Sequence, residues 1–308
     1  MSTLMNYVIP FASFSWLMWY LFRKATRKAR LRRFLYEKVV LITGASSGLG
    51  EAMARVFHRY GAKVILVSRN IDKLNRLKQV LIEMYPEGFP PFPVRLDLEK
   101  LDEIHRIAEG IVQIYGKVDI LINNAGLGYR GTIMDTQLAV YQKLMNVNLF
   151  GQIELTKTLM PHFVAKREGF IVGIGSVQSQ ISIPYRSAYA ASKHAFSAFL
   201  DCLRAEASVY KGINVLCVNP GYIKTNASMN SIIGDGSQYK LLDETQANGM
   251  DPLELAEEIA YAVLCKKKEI LITESYQKIA VIIRHLLPDL FFNLMERRAA
   301  KQLPNHLR

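Results

Sequence analysis

The residues best suited to chemistry are a tyrosine and a lysine four positions apart, Tyr189 and Lys193, with Ser176 thirteen residues before the tyrosine. On a helix, side chains at positions i and i+4 project from one face. A free phenol with a pKa near ~10 exchanges protons poorly at neutral pH, and an adjacent ammonium favours its ionised form and lowers that pKa. A hydroxyl such as that of Ser176 can donate to a carbonyl oxygen on which negative charge develops. The three residues therefore predict proton transfer to a carbonyl group, with Tyr189 as the general acid.

A glycine-rich turn near the start of the chain is suited to binding a nucleotide. The β-branched run at 38–42 leads into the turn at 43–50, and an amphipathic helix follows. A dinucleotide site requires this order, because glycines let the backbone approach a pyrophosphate and the helix N-terminus supplies unpaired N–H groups. The residues predicted to contact the cofactor here are Gly44, Ser46, Ser47, Gly48, Leu49 and Gly50.

The next predicted strand, 62–67, bears on which cofactor is bound. It ends in Ser68-Arg69-Asn70, where a site for NAD(H) usually carries an acidic residue. Arg69 instead offers a planar donor fork suited to a phosphate. We therefore predict NADP(H) in preference to NAD(H). The alternative is that Arg69 is an ordinary surface residue at the start of a helix.

Two later strand ends carry further candidate cofactor contacts. Asp97 follows an apolar run and could accept a hydrogen bond from the adenine amino group. Asn124, Ala125 and Gly126 follow the run at 118–122, and small residues there allow the backbone to lie close to the cofactor. Each could be turn chemistry alone, but successive strand ends of an alternating α/β pattern form a crevice at one edge of a sheet. The sequence thus predicts a single α/β domain at 37–275, with a Rossmann-type doubly wound parallel sheet.

Together these motifs resemble the short-chain dehydrogenase/reductase family. The resemblance rests on TGASSGLG at 43–50, NNAG at 123–126, NVNLFG around Asn148, Ser176, YAASK at 189–193 and NPGYIKT at 219–225. It covers roughly residues 37–275. A departure is Ser47, because some NADP-preferring members carry a basic residue there, so the NADP(H) prediction depends mainly on Arg69.

The resemblance implies a role for each matching residue. Tyr189 would be the general acid/base and would also contact the cofactor, and Ser176 would hold the substrate oxygen. Lys193 would bind the nicotinamide ribose hydroxyls as well. Asn148 would support a water that continues a proton relay through Lys193. The family also implies a homodimer. The residues implied around the nicotinamide carboxamide and ring are Pro220, Gly221, Ile223 and Thr225.

The first 22 residues carry no charge and are predominantly apolar, with Trp16 and Trp19 near their far end. This length and composition predict an uncleaved transmembrane helix at 1–22, although an interfacial hairpin remains an alternative. A basic linker follows at 23–36 and places the catalytic domain on the cytosolic face by the positive-inside tendency. The anchor suits the endoplasmic reticulum or the peroxisome equally. The chain has a formal net charge of +12, much of it in this segment, and no signature of nucleic-acid binding or metal ligation.

Two segments outside the motifs bear on the substrate. The polar stretch at 226–250 has no periodicity and directly follows Thr225, so we interpret it as a lid over the substrate. The C-terminal part, 276–308, is an apolar helix with a basic tail, too interrupted by Arg284, Pro288 and Asp289 to cross a bilayer. It either packs against the domain or a dimer partner, or lies in the membrane interface.

The leading hypothesis is a membrane-anchored NADP(H)-dependent reductase of a lipid or steroid-like ketone. Four segments, at 129–136, 183–196, 201–206 and 235–239, further resemble one membrane-anchored branch of the family. That branch is linked to reduction of acyl- or alkyl-dihydroxyacetone phosphate, which is a candidate substrate. The alternatives are an NAD(P)-dependent alcohol or hydroxysteroid dehydrogenase acting in the oxidative direction, and a nucleotide-sensing adaptor with little turnover.

Overall fold

A computed structural model describes residues 26–302 of the chain. The predicted membrane anchor at 1–22 lies outside these residues. Among the helices described between residues 26 and 302, none is both long and apolar enough to cross a membrane.

Seven parallel strands form one sheet in the order β3-β2-β1-β4-β5-β6-β7. The chain therefore runs outward from β1 to one edge, crosses back, and builds the other half from β4 onward. The change of direction leaves a crevice outside the carboxyl ends of β1 and β4, where such sheets bind ligands. The strands are β1 Val39–Thr43, β2 Lys63–Ser68, β3 Phe92–Arg95, β4 Ile120–Asn123, β5 Gly169–Ile174, β6 Ile213–Pro220 and β7 Glu269–Ile272.

Helices cover both faces of this sheet, so every residue of β1 and of β4 is buried. Val40 and Ile42 pack against one helical layer, while Val39 and Leu41 pack against the other. The helices are α1 at 26–35, α2 Gly48–Arg59, α3 Ile71–Met84, α4 Leu101–Tyr115, α5 Leu138–Met145, α6 Gly151–Lys166, α7 Ser187–Ala207, α8 Glu244–Ala247, α9 Pro252–Leu264, α10 Ser275–Leu286 and α11 Pro288–Lys301. This architecture confirms the predicted single-domain, doubly wound α/β fold.

Part of the stretch interpreted as a basic linker is helical and packs on the domain. Leu31 and Leu35 of α1 are fully buried in the core, and Arg27 forms an ion pair of 2.7 Å with Glu258 of α9. The charged residues Lys28, Arg30, Arg32 and Arg33 lie on its exposed side. The segment is thus held to the domain by apolar contacts while it presents its positive charge to the surroundings.

The C-terminal helices α10 and α11 pack beside the carboxyl edge of the sheet. Phe291 is buried against Val177 and Ile181, and the Tyr185 hydroxyl donates to the Ala299 carbonyl at 2.9 Å. One face of this helix pair therefore belongs to the domain, and the opposite face is exposed. Large apolar residues on that exposed face are Ile279, Ile282, Leu286, Leu287, Leu290 and Phe292.

Candidate active site

The glycine turn joins the end of β1 to the start of α2 at the switch point of the sheet. Gly44 and Gly48 have positive φ values of 66° and 58°, which side chains with a Cβ rarely adopt. A Cβ on Gly44 would also lie 2.8 Å from the Ala125 Cα atom. Ser47 is the N-cap of α2 but makes no side-chain capping bond. The first N–H groups of α2 are therefore left to bind an external anion, which fits a cofactor pyrophosphate.

Thr43 connects the turn to the end of β4, a role that was not predicted from the sequence. Its hydroxyl accepts from the Asn124 and Ala125 backbone N–H groups at 2.9 and 3.0 Å, and the Asn124 side chain donates to the Thr43 carbonyl at 2.8 Å. These bonds keep the two strand ends at a constant separation. The sequence feature that could have indicated this role is a threonine at the end of a strand, directly before a glycine turn.

The three predicted chemical residues meet at the ends of β5 and α7. Ser176 caps the short turn Val177–Ser179, and its hydroxyl lies close enough to the Tyr189 phenol to lower the pKa of that phenol. Lys193, one turn further along α7, is 3% exposed and donates from Nζ to the Ile174 carbonyl at 2.8 Å. Its Nζ lies 5.8 Å from the centroid of the Tyr189 ring. The structure therefore brings together the proton donor, its serine and its lysine.

Burial has the largest effect on the pKa values of Tyr189 and Lys193. Burial raises the pKa of the Tyr189 phenol, and the Ser176 hydroxyl and the charges of Arg130 and Arg186 oppose that rise without overcoming it. The sequence predicted that Lys193 lowers the pKa of the phenol. In the structure, the groups that lower this pKa are instead Ser176 and the two arginines. Burial also lowers the pKa of Lys193 to about 8. At neutral pH Tyr189 is therefore a protonated acid beside a lysine that is still mostly charged.

Asn148 lies behind the site rather than in it. It belongs to a π-helical turn, Asn146–Phe150, between α5 and α6, and is fully buried. Its Oδ1 accepts from the Leu127 N–H at 2.7 Å, and its Nδ2 donates to the Leu127 carbonyl and to the Ser192 hydroxyl. The side chain thus ties the strand-end loop after β4 to α7. The proton relay implied for Asn148 remains a prediction.

A cavity of about 1180 Å³ runs along the carboxyl edge of the sheet. Ligand pockets commonly measure about 300–1,000 Å³, so this one has room for a dinucleotide and a substrate together. Apart from Asn148, every predicted site residue lines it. These residues are Gly44, Ser46, Ser47, Gly48, Leu49, Gly50, Arg69, Asp97, Asn124, Ala125, Gly126, Ser176, Tyr189, Lys193, Pro220, Gly221, Ile223 and Thr225.

The segment interpreted as a lid lies over one side of the cavity. Asn230, Ser231, Gln238 and Gln246 from this segment line the cavity wall. The C-terminal helices supply another wall, which the sequence did not indicate at the level of residues. Their lining residues are Tyr276, Gln277, Ala280, Met295 and Arg298.

Two arginines beside Tyr189 were also missed, because nothing in their sequence context marks them. Arg130 follows β4 and Arg186 immediately precedes α7. The Arg130 Nε and Nη2 atoms donate to Asp243 Oδ2 at 2.9 and 2.5 Å, and the Arg186 Nη2 atom lies 3.5 Å from the same oxygen. Asp243 belongs to the 226–250 segment, so both ion pairs connect that segment to the active site.

Comparison with known proteins places these features in a family. The family model described as short chain dehydrogenase matches residues 38–234. Dehydrogenase/reductase SDR family member 7B of Bos taurus is 46% identical over 276 residues, which cover 89% of this chain and 85% of the relative. The resemblance noted for segments 129–136, 183–196, 201–206 and 235–239 was to this family member, and it is confirmed.

Solved structures agree on the fold. A short-chain dehydrogenase from Sphingobium yanoikuyae in complex with NADPH is 27% identical with a TM-score of 0.66, covering 76% of this chain and 87% of that one. A short chain dehydrogenase/reductase from Burkholderia phymatum in complex with NAD has a TM-score of 0.71 at 23% identity, covering 83% and 95%. The second likeness concerns the fold alone.

Proposed function

The chain belongs to the short-chain dehydrogenase family and is an oxidoreductase with an NAD(P)-binding fold, and we propose that it reduces a ketone of a lipophilic substrate with NADPH. The observation that carries the proposal is the placement of Ser176, Tyr189 and the buried Lys193 on the wall of one cavity that is large enough for cofactor and substrate. An adaptor without turnover would not require this arrangement of three functional groups.

The residues around the cavity suggest how the reaction proceeds. Bound NADPH supplies a hydride to the carbonyl carbon. The Ser176 and Tyr189 hydroxyls then face the carbonyl oxygen, on which negative charge develops, and Tyr189 transfers its proton to that oxygen. The charges of Arg130 and Arg186 favour the resulting phenolate, and the Lys193 Nζ atom lies 5.8 Å from the centroid of its ring. The raised pKa of Tyr189 keeps it in the acid form that reduction requires.

Replacement of the proton donor tests this proposal. We expect Tyr189→Phe to lower kcat for reduction of a long-chain ketone by about 10²- to 10⁴-fold, the range of general acid catalysis. NADPH binding, measured by fluorescence titration, should change little because the ring is retained. Wild-type protein that binds NADPH but oxidises it with no ketone in a broad lipid panel would contradict the proposal and favour the adaptor.

The preference for NADP(H) is proposed from the cations at the end of β2. Arg69 is exposed and lines the cavity, with Lys73 of α3 lining it nearby. We expect Arg69→Asp to raise KM for NADPH at least ~10-fold while KM for NADH is unchanged or lower, because one charge-assisted bond to phosphate contributes about 1.5–3 kcal/mol. Arg76→Gln is a matched control, since Arg76 is exposed on α3 and does not line the cavity. Equal ratios of the two KM values in wild type and Arg69→Asp would refute the assignment.

The lipophilic nature of the substrate is proposed from a set of apolar residues in the cavity wall. Val177, Ile181, Ile183, Ala280 and Met295 line it. Acyl- or alkyl-dihydroxyacetone phosphate remains the candidate that the family resemblance offers. With an anchor at 1–22, the enzyme would take such a molecule from the cytosolic face of the endoplasmic reticulum or peroxisomal membrane, as a homodimer.

A further inference from the structure

Two arginines and one carboxylate lie together between the active-site tyrosine and the 226–250 segment. The side chains of Arg130, Arg186 and Asp243 are only 13%, 19% and 17% exposed. Both guanidinium groups use the same carboxylate oxygen, Asp243 Oδ2. Within residues 26–302, the ion pairs of this cluster therefore set two positive charges against one negative charge, an excess of one positive charge.

This excess charge is unfavourable unless something compensates for it. A buried charge without a partner costs several kcal/mol in general. Burial and the neighbouring Arg130 lower the pKa of Arg186 to about 10, so it remains charged at neutral pH. Besides Arg130 and Asp243, the side chains that act electrostatically on Arg186 include those of Tyr222 and Tyr239, which carry no carboxylate. Burial and Asp243 both raise the pKa of the Tyr239 phenol, so the negative charge of Asp243 acts on this side chain as well as on the two arginines.

The location of the cluster indicates what the missing anion belongs to. Arg130 lines the same cavity as Tyr189, whereas Arg186 does not line it and shares the Asp243 oxygen with Arg130. Both arginines act electrostatically on the Tyr189 phenol. The Arg130 Nη1 and Arg186 Nη1 atoms donate to the backbone carbonyls of Tyr129 and Tyr185, each at 2.9 Å, which orients the two planar groups. Oriented guanidinium groups suit the oxygens of a phosphate or a carboxylate.

We propose that Arg130 and Arg186 form a binding subsite for an oxyanion carried by the substrate. The substrate is then an amphiphile: its ketone faces Tyr189, its anionic group contacts Arg130, and its apolar chain lies along Val177, Ile181 and Met295. The neighbouring charge of Arg186 strengthens the attraction of that anionic group. This inference rests on the proposed reductase function and assigns to these two arginines the recognition of an anionic group such as the phosphate of the candidate substrate. A role limited to holding the 226–250 segment through Asp243 is the alternative that the test must separate.

A matched pair of ketones tests the subsite. The probes are 2-oxotetradecyl phosphate and 1-hydroxytetradecan-2-one, which share chain and carbonyl and differ only in the phosphate. With full-length protein in mild detergent and saturating NADPH, we expect kcat/KM at least ~10-fold higher for the phosphate, through a lower KM. Arg130→Gln and Arg186→Gln should each reduce the ratio of the two kcat/KM values by about 10- to 100-fold, the range of one charge-assisted bond.

Two further variants make the outcome specific. Arg130→Lys should restore part of the preference, because it keeps the charge but loses the planar fork. Arg106→Gln, an exposed position on α4, should leave the ratio unchanged. A wild type without preference for the phosphate would overturn the inference. So would arginine variants that lower kcat/KM equally for both ketones, since that result would assign the arginines to holding the segment.

A binding measurement separates failure of the subsite from failure of the proposed function. Octyl phosphate, octanoate and octanol are compared for their effect on the thermal unfolding of the NADPH-bound protein. We expect one or both anions, but not octanol, to raise Tm in wild type and to lose that effect in Arg130→Gln and Arg186→Gln. The anion that raises Tm more shows whether the subsite binds a phosphate or a carboxylate more tightly. If neither ketone is reduced, the proposed function fails, whereas anions that give no more protection than octanol contradict the subsite alone.

Discussion

At the scale of single residues, Lys193 shows that the site is built at a cost in stability. It is almost completely buried, and its Nζ makes one hydrogen bond, to the Ile174 carbonyl, among the residues that the structure describes. Burial lowers its pKa to about 8 from an ordinary value of 10.5. The folded state therefore binds the Lys193 proton more weakly than the unfolded state does. The charged form of this side chain destabilises the fold.

The sign of this effect gives a prediction for Lys193→Met. Below pH 8 the lysine is charged in both the folded and the unfolded state, so its destabilisation is fully present. The destabilisation declines between pH 8 and 10.5, where the folded state has lost the proton and the unfolded state still holds it. Above pH 10.5 both states are neutral and the effect is absent. We expect Lys193→Met to raise the free energy of unfolding at pH 7 by about 1–3 kcal/mol, since a shift of one pKa unit corresponds to about 1.36 kcal/mol and the lost hydrogen bond removes part of the gain.

Chemical denaturation of full-length protein in mild detergent, at pH 7 and pH 10, measures this difference. The gain should shrink at pH 10, and turnover should be lost at both pH values. Lys211→Met is the matched control, because Lys211 is exposed in the turn before β6. A variant less stable than wild type at pH 7 would mean that Lys193 stabilises the fold.

The chemical residues differ in how well the sequence predicts them. Tyr189 and Lys193 could be predicted because their spacing places them on one face of a helix. Arg130 and Arg186 could not, since they are 56 positions apart and their proximity depends on how the loop after β4 and the start of α7 fold. Asn148 was predicted as a site residue, but only the structure shows that its amide is occupied by Leu127 and Ser192.

At the scale of helices and strands, the sheet was the most predictable part. Runs such as VVLIT in β1 are buried on both faces, and continuous β-branched sequences are typical of such strands. The glycine turn was predictable for a related reason, because the positive φ of Gly44 and Gly48 restricts the residue type at those positions. The strands and the glycine turn both depend on local conformation, so short stretches of sequence were enough to predict them.

Elements whose structure depends on distant contacts were predicted less well. Helix α1 reads as a basic linker because its charges are numerous, but Leu31 and Leu35 pack into a core formed mainly by later residues. The C-terminal part divides into α10 and α11 at Pro288, which occupies the first position of α11 and lacks the N–H that would continue α10. Which side of these helices meets the domain depends on Val177 and Ile181, far away in sequence.

At the scale of the whole molecule, apolar and basic surfaces adjoin the substrate cavity. Helices α10 and α11 line the cavity with Ala280 and Met295 and also carry exposed apolar residues. Arg297, Arg298 and Lys301 follow near the end of α11. An amphipathic pair with cations at one end is suited to the boundary between lipid headgroups and acyl chains. We therefore expect this face to meet the bilayer, which would place the cavity entrance where a lipophilic ketone partitions.

Substitutions on α10 test this orientation without touching the cavity. Ile282 and Leu286 lie one turn apart, are 56% and 73% exposed, and do not line the cavity. For full-length protein in anionic vesicles, we expect Ile282→Glu/Leu286→Glu to raise the apparent KM for a bilayer-dissolved ketone about 10-fold or more, because each apolar side chain contributes on the order of 1 kcal/mol when it leaves water. The KM for a short, water-soluble ketone should stay the same. Val209→Glu is the control, since Val209 is 75% exposed but follows the far end of α7. If the double variant behaves like wild type with the bilayer-dissolved ketone, α10 does not contact the membrane and the exposed face must serve another contact.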